Sequence, residues 1–253
     1  MSSRTISSTL TGLLIVLLFG DKFIQIIKKF QFNQNFDGRA PESHKKKDGT
    51  PTMGGILIIG SVVLSGLIWG DLSNKYLLLG LACLVGFAII GFIDDYKKIF
   101  SLDSTGLSST TKIFYQAMVA LVVSVILFAS STSPQELEYI VPFFKNISIE
   151  LGVGFVFLSV FILVGSSNAV NLTDGLDGLA ILPVIIITAA LGIIAWAAGN
   201  VIAAEYLYIP YLATTGELLV LCGALIGAGI GFLWFNAYPC LLYTSDAADE
   251  RNS

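Results

Sequence analysis

Residues 76–93 read YLLLGLACLVGFAIIGFI, without one charged side chain, and Asp94-Asp95 follows at once. A helix rises about 1.5 Å per residue and the hydrocarbon core of a bilayer is about 30 Å thick, so a run of this length predicts a transmembrane helix. Similar runs recur at Ile6–Ile27, Met53–Trp69, Ile113–Ala129, Leu151–Val170, Leu179–Ala198 and Leu218–Phe235. The predicted fold is therefore an all-α, polytopic transmembrane helix bundle of about seven spans.

The overall composition agrees with this fold class. Hydrophobic residues make up 55% of the 253-residue chain, charged residues only 13%, and the mean hydropathy is +0.80. Soluble domains carry about 25% charged residues, and water would not tolerate so much apolar surface. The lipid bilayer is thus a predicted partner, and nucleic acid is not. Three cysteines and a single histidine, His44, show no metal-binding or redox spacing.

Basic residues divide the predicted loops into two classes. The first loop, about residues 28–52, and the third, residues 94–112, hold most of the lysines, whereas the second and fourth hold only Lys75 and Lys145. Because basic residues in short loops mark the cytoplasmic side, the odd loops are predicted to be cytoplasmic and the N-terminus to lie outside. The polar motifs all fall on odd loops or at the end of the last span, so they share one predicted face.

The densest polar motif is NAVNLTDGLDG at residues 168–178, which ends the fifth run. Its Asn and Asp residues recur every third position, which brings them to one side of a helix, at Asn168, Asn171, Asp174 and Asp177. Polar groups at the end of a span are costly unless they have partners, and the two glycines allow a ligand to approach the backbone. A binding site is the favoured interpretation.

Other residues on the same predicted face complete a set of charges. Adjacent carboxylates such as Asp94 and Asp95 repel each other and need a cation, a metal or a raised pKa, although a solvated helix end remains an alternative. KKKDGTPTMGG at residues 45–55 resembles an anion-binding turn before a helix, although an ordinary basic loop is also open. Lys112 opens the fourth span and Asn236 closes the seventh. Carboxylates, lysines and such a turn together predict phosphoryl transfer between one soluble and one lipid substrate.

At these motifs the chain resembles the phospho-N-acetylmuramoyl-pentapeptide transferases, also called translocase I. The likeness rests on GTPTMGG at 49–55, GFIDDY at 91–96 and NAVNLTDGLDGLA at 168–180, and it extends over about residues 4–239 through DGRAPESH at 37–44 and GFLWFNAYP at 231–239. It implies transfer of phospho-MurNAc-pentapeptide from UDP-MurNAc-pentapeptide to undecaprenyl phosphate, giving lipid I and UMP in peptidoglycan biosynthesis. It also implies a multi-pass protein of the bacterial inner membrane with a cytoplasmic active face.

The resemblance assigns expected roles residue by residue. The family is Mg²⁺-dependent, and the implied metal ligands are Asp94, Asp95 and Asp174. The aspartate pair would activate or orient the lipid phosphate beside Lys98 and Lys112. The implied donor-binding residues are Lys47, Thr52, Asn168, Asn171, Asp174, Asp177 and Asn236. The oligomeric state is left open, and a homodimer is one arrangement that the sequence allows.

The chain also departs from the family pattern. The start looks clipped, and after Pro239 the family's Met-Gly-Asp-x-Gly-Ser motif, with a metal-site aspartate, and its histidine-rich loop are absent. Residues 1–239 are therefore expected to form an incomplete transferase domain. Residues 240–253 form a tail that matches nothing in the family and is interpreted as artefactual or disordered. On this basis the 253-residue chain is expected to be inactive or nearly so.

Two other functions remain open from the sequence. A related polyprenyl-phosphate N-acetylhexosamine-1-phosphate transferase shares the aspartate pair and the Asn/Asp cluster but uses other UDP-sugars. An ion-coupled transporter also carries acidic residues in its spans, but such residues cluster near the membrane midplane. The position of the polar motifs at one face disfavours the transporter.

Overall fold

The computed structural model describes residues 2–35, 53–100, 106–141, 148–173 and 180–236. These ranges contain eight α-helices: α1 (Ser2–Asn35), α2 (Gly55–Trp69), α3 (Lys75–Phe100), α4 (Ser109–Ala129), α5 (Gly154–Thr173), α6 (Ile181–Ala198), α7 (Val201–Leu207) and α8 (Leu218–Asn236). Short 3₁₀ turns occur at Pro134–Leu137 and Thr215–Glu217. A two-stranded antiparallel ribbon joins β1 (Glu138–Ile140) to β2 (Ser148–Glu150).

The predicted helical bundle is confirmed. Within the described ranges, six helices are long and apolar enough to cross a membrane, and Gly55–Trp69 is a shorter apolar helix. Large apolar side chains remain exposed all around the bundle, for example Phe157 at 72% and Phe161 at 76%. Exposed aromatic side chains of this kind suit a lipid environment rather than water, because burial in hydrocarbon removes their apolar surface from water. The protein is a multi-pass membrane protein.

Several predicted boundaries were wrong. Helix α3 continues through Asp94 and Asp95 to Phe100, whereas these aspartates were expected to begin a loop. Helix α5 likewise extends to Thr173, so Asn168 and Asn171 lie on its last turns. Polar residues can continue a helix beyond the apolar run, because the backbone hydrogen bonds do not depend on side-chain polarity. The ribbon and α7 were not predicted.

The centre of the bundle is a close parallel contact between α1 and α8. Glycines on α8 recur every fourth residue at Gly223, Gly227 and Gly231, on the side facing α1. A Cβ atom at Gly223 would lie 2.7 Å from Thr9 Oγ1, and one at Gly231 would lie 2.9 Å from Val16 Cβ. Small residues at this spacing let two helix backbones approach closely within a membrane. Val16 and Phe232, both 0% exposed, fill the adjoining core.

One end of the bundle is held by a polar network that starts on α1. Arg4 donates two hydrogen bonds to the buried Glu217 carboxylate, at 2.8 and 2.9 Å. The Asp71 backbone N–H donates to the same carboxylate at 2.8 Å, and Trp69 Nε1 donates to Thr11 Oγ1 at 2.9 Å. These bonds place the start of α1, the end of α2 and the start of α8 at the same end.

The opposite end gathers the polar motifs. Contacts between successive long helices give their relative directions. Lys75 at the start of α3 bonds Ser130 at the end of α4, and Lys112 near the start of α4 bonds Asp94 near the end of α3, so α3 and α4 run antiparallel. Gln116 near the start of α4 bonds Asn168 near the end of α5, so α5 runs antiparallel to α4. The alternation that the loop charges predict therefore holds for α3, α4 and α5. The end of α3, the start of α4, the end of α5 and the end of α8 share one face.

Candidate active site

Asp94, in the last two turns of α3, is the residue that two lysines of the candidate site contact. The residue is only 5% exposed, and the Leu107 backbone N–H donates to its Oδ1 at 2.7 Å. Lys112 Nζ lies 3.3 Å from its Oδ2, and Lys98 Nζ lies 3.6 Å from the same atom. A carboxylate this buried is tolerable only because one N–H group and two ammonium groups compensate it.

Gly106 lies directly against the side chain of Asp94. A Cβ atom at Gly106 would collide with the Asp94 carboxylate and lie 2.8 Å from Lys98 Cε. Glycine at this position therefore lets the Leu107 N–H reach Asp94, and the Ser108 Oγ then accepts from the Thr111 N–H at 3.2 Å to cap α4. The cap places Lys112 on the first turn of the helix.

Asp95 lies on a different side of α3 from Asp94, because adjacent residues on a helix point about 100° apart. It borders an apolar groove of about 450 Å³ between α2 and α3, together with glycines and aliphatic side chains such as Gly60, Ile89 and Gly91. The two carboxylates were predicted as a pair acting together. The structure instead directs Asp94 toward α4 and places Asp95 at the end of the groove.

A second, more polar cavity of about 240 Å³ lies between α3, α4 and α5. Its polar lining is Lys112, Gln116, Ser167 and Asn171, and Gly91 borders both this cavity and the groove. Asn168 adjoins it, with its Nδ2 hydrogen-bonded to Gln116 Oε1 at 2.7 Å. A cation, two amides and a hydroxyl around one space can bind an anion or a sugar hydroxyl.

The predicted site residues divide into two groups. The structure brings six of them to one end of the bundle at Asp94, Asp95, Lys98, Lys112, Asn168 and Asn171, and also places Asn236 there, 3% exposed, at the end of α8. Lys47, Thr52, Asp174 and Asp177 lie outside the described residues. Helix α2 begins at Gly55 as the glycine-rich turn predicted, and Met53 before it has a left-handed backbone, φ 74°.

Two contributors were missed from the sequence. Leu107 contributes through its backbone N–H, so its residue type could not have indicated this contact. Gln116 did carry a signal, since it interrupts the apolar run Ile113–Ala129 four residues after Lys112 and so lies on the same helix face. Among the described residues, no cluster of three or more His, Cys, Asp or Glu side chains could hold a metal ion.

Two comparisons decide the family. The family model described as glycosyl transferase family 4 matches residues 77–248, about two thirds of the chain. The chain belongs to glycosyl transferase family 4. Phospho-N-acetylmuramoyl-pentapeptide-transferase signature 1 matches residues 47–59, so the resemblance to translocase I is confirmed. The family match ends at residue 248, and the boundary drawn at 239 remains a prediction.

Membership in glycosyl transferase family 4 gives the site its general chemistry. The protein is a membrane-embedded phosphotransferase that moves a phosphosugar to a polyprenyl phosphate, so one of its substrates is a lipid. The described members of the predicted site lie at one end of a bundle of apolar helices, and their roles remain a prediction. The ion-coupled transporter alternative finds no support in either match.

Proposed function

We propose that this glycosyl transferase family 4 protein transfers phospho-MurNAc-pentapeptide from UDP-MurNAc-pentapeptide to undecaprenyl phosphate. The products are lipid I and UMP, and the process is peptidoglycan biosynthesis at the cytoplasmic face of a bacterial inner membrane. The observation that carries the proposal is the translocase signature at residues 47–59, which leads directly into α2 and the wall of the groove that ends at Asp95.

The groove and the polar cavity suit the two substrates. The apolar groove between α2 and α3 opens among lipid-facing side chains and is of a kind that a prenyl chain can occupy. The polar cavity beside Lys112 offers hydrogen-bond donors and one cation to the nucleotide-sugar. Gly91 separates the two spaces, so the phosphates of both substrates can meet near the end of α3.

Asp94 and Lys112 have complementary roles in this proposal. The lipid phosphate attacks the phosphorus atom of the donor that bears the sugar, and the bond from that phosphorus to the UMP oxygen breaks. Lys112, held by Asp94 and located at the cavity wall, stabilises the negative charge that shifts onto UMP. The Asp94 carboxylate pairs with the ammonium groups of Lys112 and Lys98 and holds both of them near the end of α3.

Magnesium is the cofactor that the family implies. Carboxylate oxygen atoms are the ligands that Mg²⁺ prefers, so Asp95 fits the ion, and Asp174 is the proposed second ligand. Asp94 is the third ligand that the resemblance implies, and both of its oxygen atoms already contact nitrogen donors. When bound, the ion neutralises phosphate charge.

The test is UMP release by the full-length gene product in detergent micelles with undecaprenyl phosphate and Mg²⁺. UDP-MurNAc-pentapeptide is compared with UDP-N-acetylglucosamine at equal concentrations. We expect UMP and a lipid-linked product only with the muramoyl donor. Release only with UDP-N-acetylglucosamine would identify the N-acetylhexosamine-1-phosphate transferase instead. That second candidate is kept because the match over residues 77–248 is to the whole family, not to a particular donor.

A further inference from the structure

Gln116 is a buried polar side chain that the proposed chemistry does not yet use. It is 4% exposed and lies one helical turn beyond Lys112, within an otherwise apolar span. Burying an amide inside a membrane helix is unfavourable unless its groups are hydrogen-bonded. Both partners of Gln116 come from α5: its Nε2 donates to Ser167 Oγ at 3.3 Å, and its Oε1 accepts from Asn168 at 2.7 Å.

The direction of this hydrogen-bond chain is fixed by a backbone carbonyl. Asn168 Nδ2 donates to the Val164 carbonyl oxygen at 2.8 Å as well as to Gln116. A carbonyl oxygen can only accept, so the Asn168 atom that faces it must be the nitrogen. The Gln116 atom that faces this nitrogen must then be its oxygen. The nitrogen of Gln116 is left to face Ser167.

This arrangement leaves one atom of Asn168 for a ligand. Both hydrogens of the Asn168 amide are used, one by Val164 and one by Gln116. Its Oδ1 is therefore held in one orientation, and no described residue donates to it. Without Gln116 the amide could rotate and present its NH₂ group instead, and this would exchange an acceptor for a donor.

We propose that Gln116 is a positioning residue, which fixes the Asn168 amide so that its Oδ1 accepts a hydrogen bond from the nucleotide-sugar donor. This inference rests on the proposed function, in which Asn168 contacts that donor. The donor supplies the matching N–H or O–H group from its uracil, ribose or sugar amide. Gln116 itself need not touch the substrate.

A purely structural role for Gln116 predicts something different. Its bonds to α5 also tie α4 to α5, so a structural role would lower the thermal midpoint without altering donor affinity in folded protein. A positioning role lowers affinity for the donor and leaves the Michaelis constant for undecaprenyl phosphate unchanged. It also makes the effect depend on Asn168, because the two residues act as one unit.

The experiment is a double-mutant cycle with Gln116→Met and Asn168→Ala in the full-length gene product. Equilibrium binding of UDP-MurNAc-pentapeptide is measured with Mg²⁺ and without lipid acceptor, and UMP release is measured separately. We expect Gln116→Met to weaken donor binding about tenfold, as for one lost hydrogen bond. In the Asn168→Ala background the same change should have no further effect. Gln116→Leu supplies the same cycle if the methionine variant does not fold.

A further variant serves as the control. Ser124→Ala removes a buried hydroxyl two turns further along α4, one of two buried side-chain oxygens without a partner among the described residues, and should leave binding unchanged.

Unchanged donor binding by Gln116→Met, or an effect that adds to that of Asn168→Ala, would overturn the inference. A wild-type protein that neither binds nor turns over UDP-MurNAc-pentapeptide would instead refute the proposed function, and the inference with it. The wild-type arm therefore distinguishes the two failures.

Discussion

The contact between α1 and α8 predicts a strong effect from the smallest possible side-chain addition. A Cβ atom at Gly227 would overlap the backbone carbonyl oxygen of Thr9 and lie 3.1 Å from the Leu13 backbone nitrogen. Neither atom belongs to a flexible side chain, so the two helices must separate to admit a methyl group. Gly227→Ala is thus a direct measure of how closely the helices pack.

The magnitude follows from two opposing terms. Overpacking a tight contact typically costs about 1–3 kcal/mol. Replacing glycine by alanine within a helix stabilises the folded state by about 0.5–1 kcal/mol, because alanine loses less backbone entropy on folding. We therefore expect a net loss of about 1–2 kcal/mol for Gly227→Ala, and about 2–4 °C in thermal midpoint per kcal/mol for a chain of this length.

Gly165→Ala is the matched control, because Gly165 is also within a membrane helix and a Cβ atom there would meet nothing within 4 Å. Its thermal midpoint should stay the same or rise slightly. The assay is thermal unfolding of both variants in the same detergent, followed by far-UV circular dichroism. A Gly227→Ala midpoint equal to that of Gly165→Ala would refute the close α1–α8 contact, and with it the reason why α8 holds Asn236 at the site.

Three other outcomes test the site and the opposite end of the bundle. Lys112→Met should reduce kcat/KM for UMP release by about ten- to a hundredfold, the size expected when one charged hydrogen bond is lost. Lys97→Met, at an exposed position on α3, is the control and should have no effect. Equal losses in the two variants would show that Lys112 has no specific role in the reaction. Chelation of Mg²⁺ by EDTA should abolish UMP release, and added Mg²⁺ should restore it; full activity in EDTA would contradict the cofactor assignment. Burial raises the pKa of Glu136, but hydrogen bonds from Lys75 and from neighbouring groups outweigh it and hold the pKa at about 2. Because this pKa is below the usual value of 4.5, the stability gap between wild type and Glu136→Gln should be full above about pH 5 and shrink as the pH falls toward 2. A gap that does not change between pH 6 and pH 3 in detergent unfolding would show that the ion pair with Lys75 contributes nothing.

The helical segments were predictable because their signal is local. A bilayer requires each span to satisfy its own backbone hydrogen bonds, so an apolar run of sufficient length is a helix whatever surrounds it. The sequence of apolar runs also predicts their alternation, which the contacts between Lys75 and Ser130 and between Lys112 and Asp94 confirm for α3 and α4. The ends were less predictable, and α3 continues past Asp94 because charged residues do not stop a helix.

The polar motifs were visible in the sequence, but their grouping was not. Asp94 and Asp95 are adjacent in the sequence, yet α3 turns them toward different spaces. Gln116 and Asn168 are far apart in the sequence, yet they share a hydrogen bond of 2.7 Å. Contacts between helices depend on which faces meet, and no spacing within one segment specifies that.

The amino-acid sequence by itself determined the membrane class, the positions of the long apolar helices and the residue types available for phosphoryl transfer. Each of these depends on composition or on spacing within one segment. Only the tertiary structure decided that Lys112 pairs with Asp94, that Asp95 borders the groove and that Gln116 is hydrogen-bonded to Asn168. The physical reason is that a buried polar group is tolerated where another helix supplies its partner, and this partner becomes visible only when the helices pack.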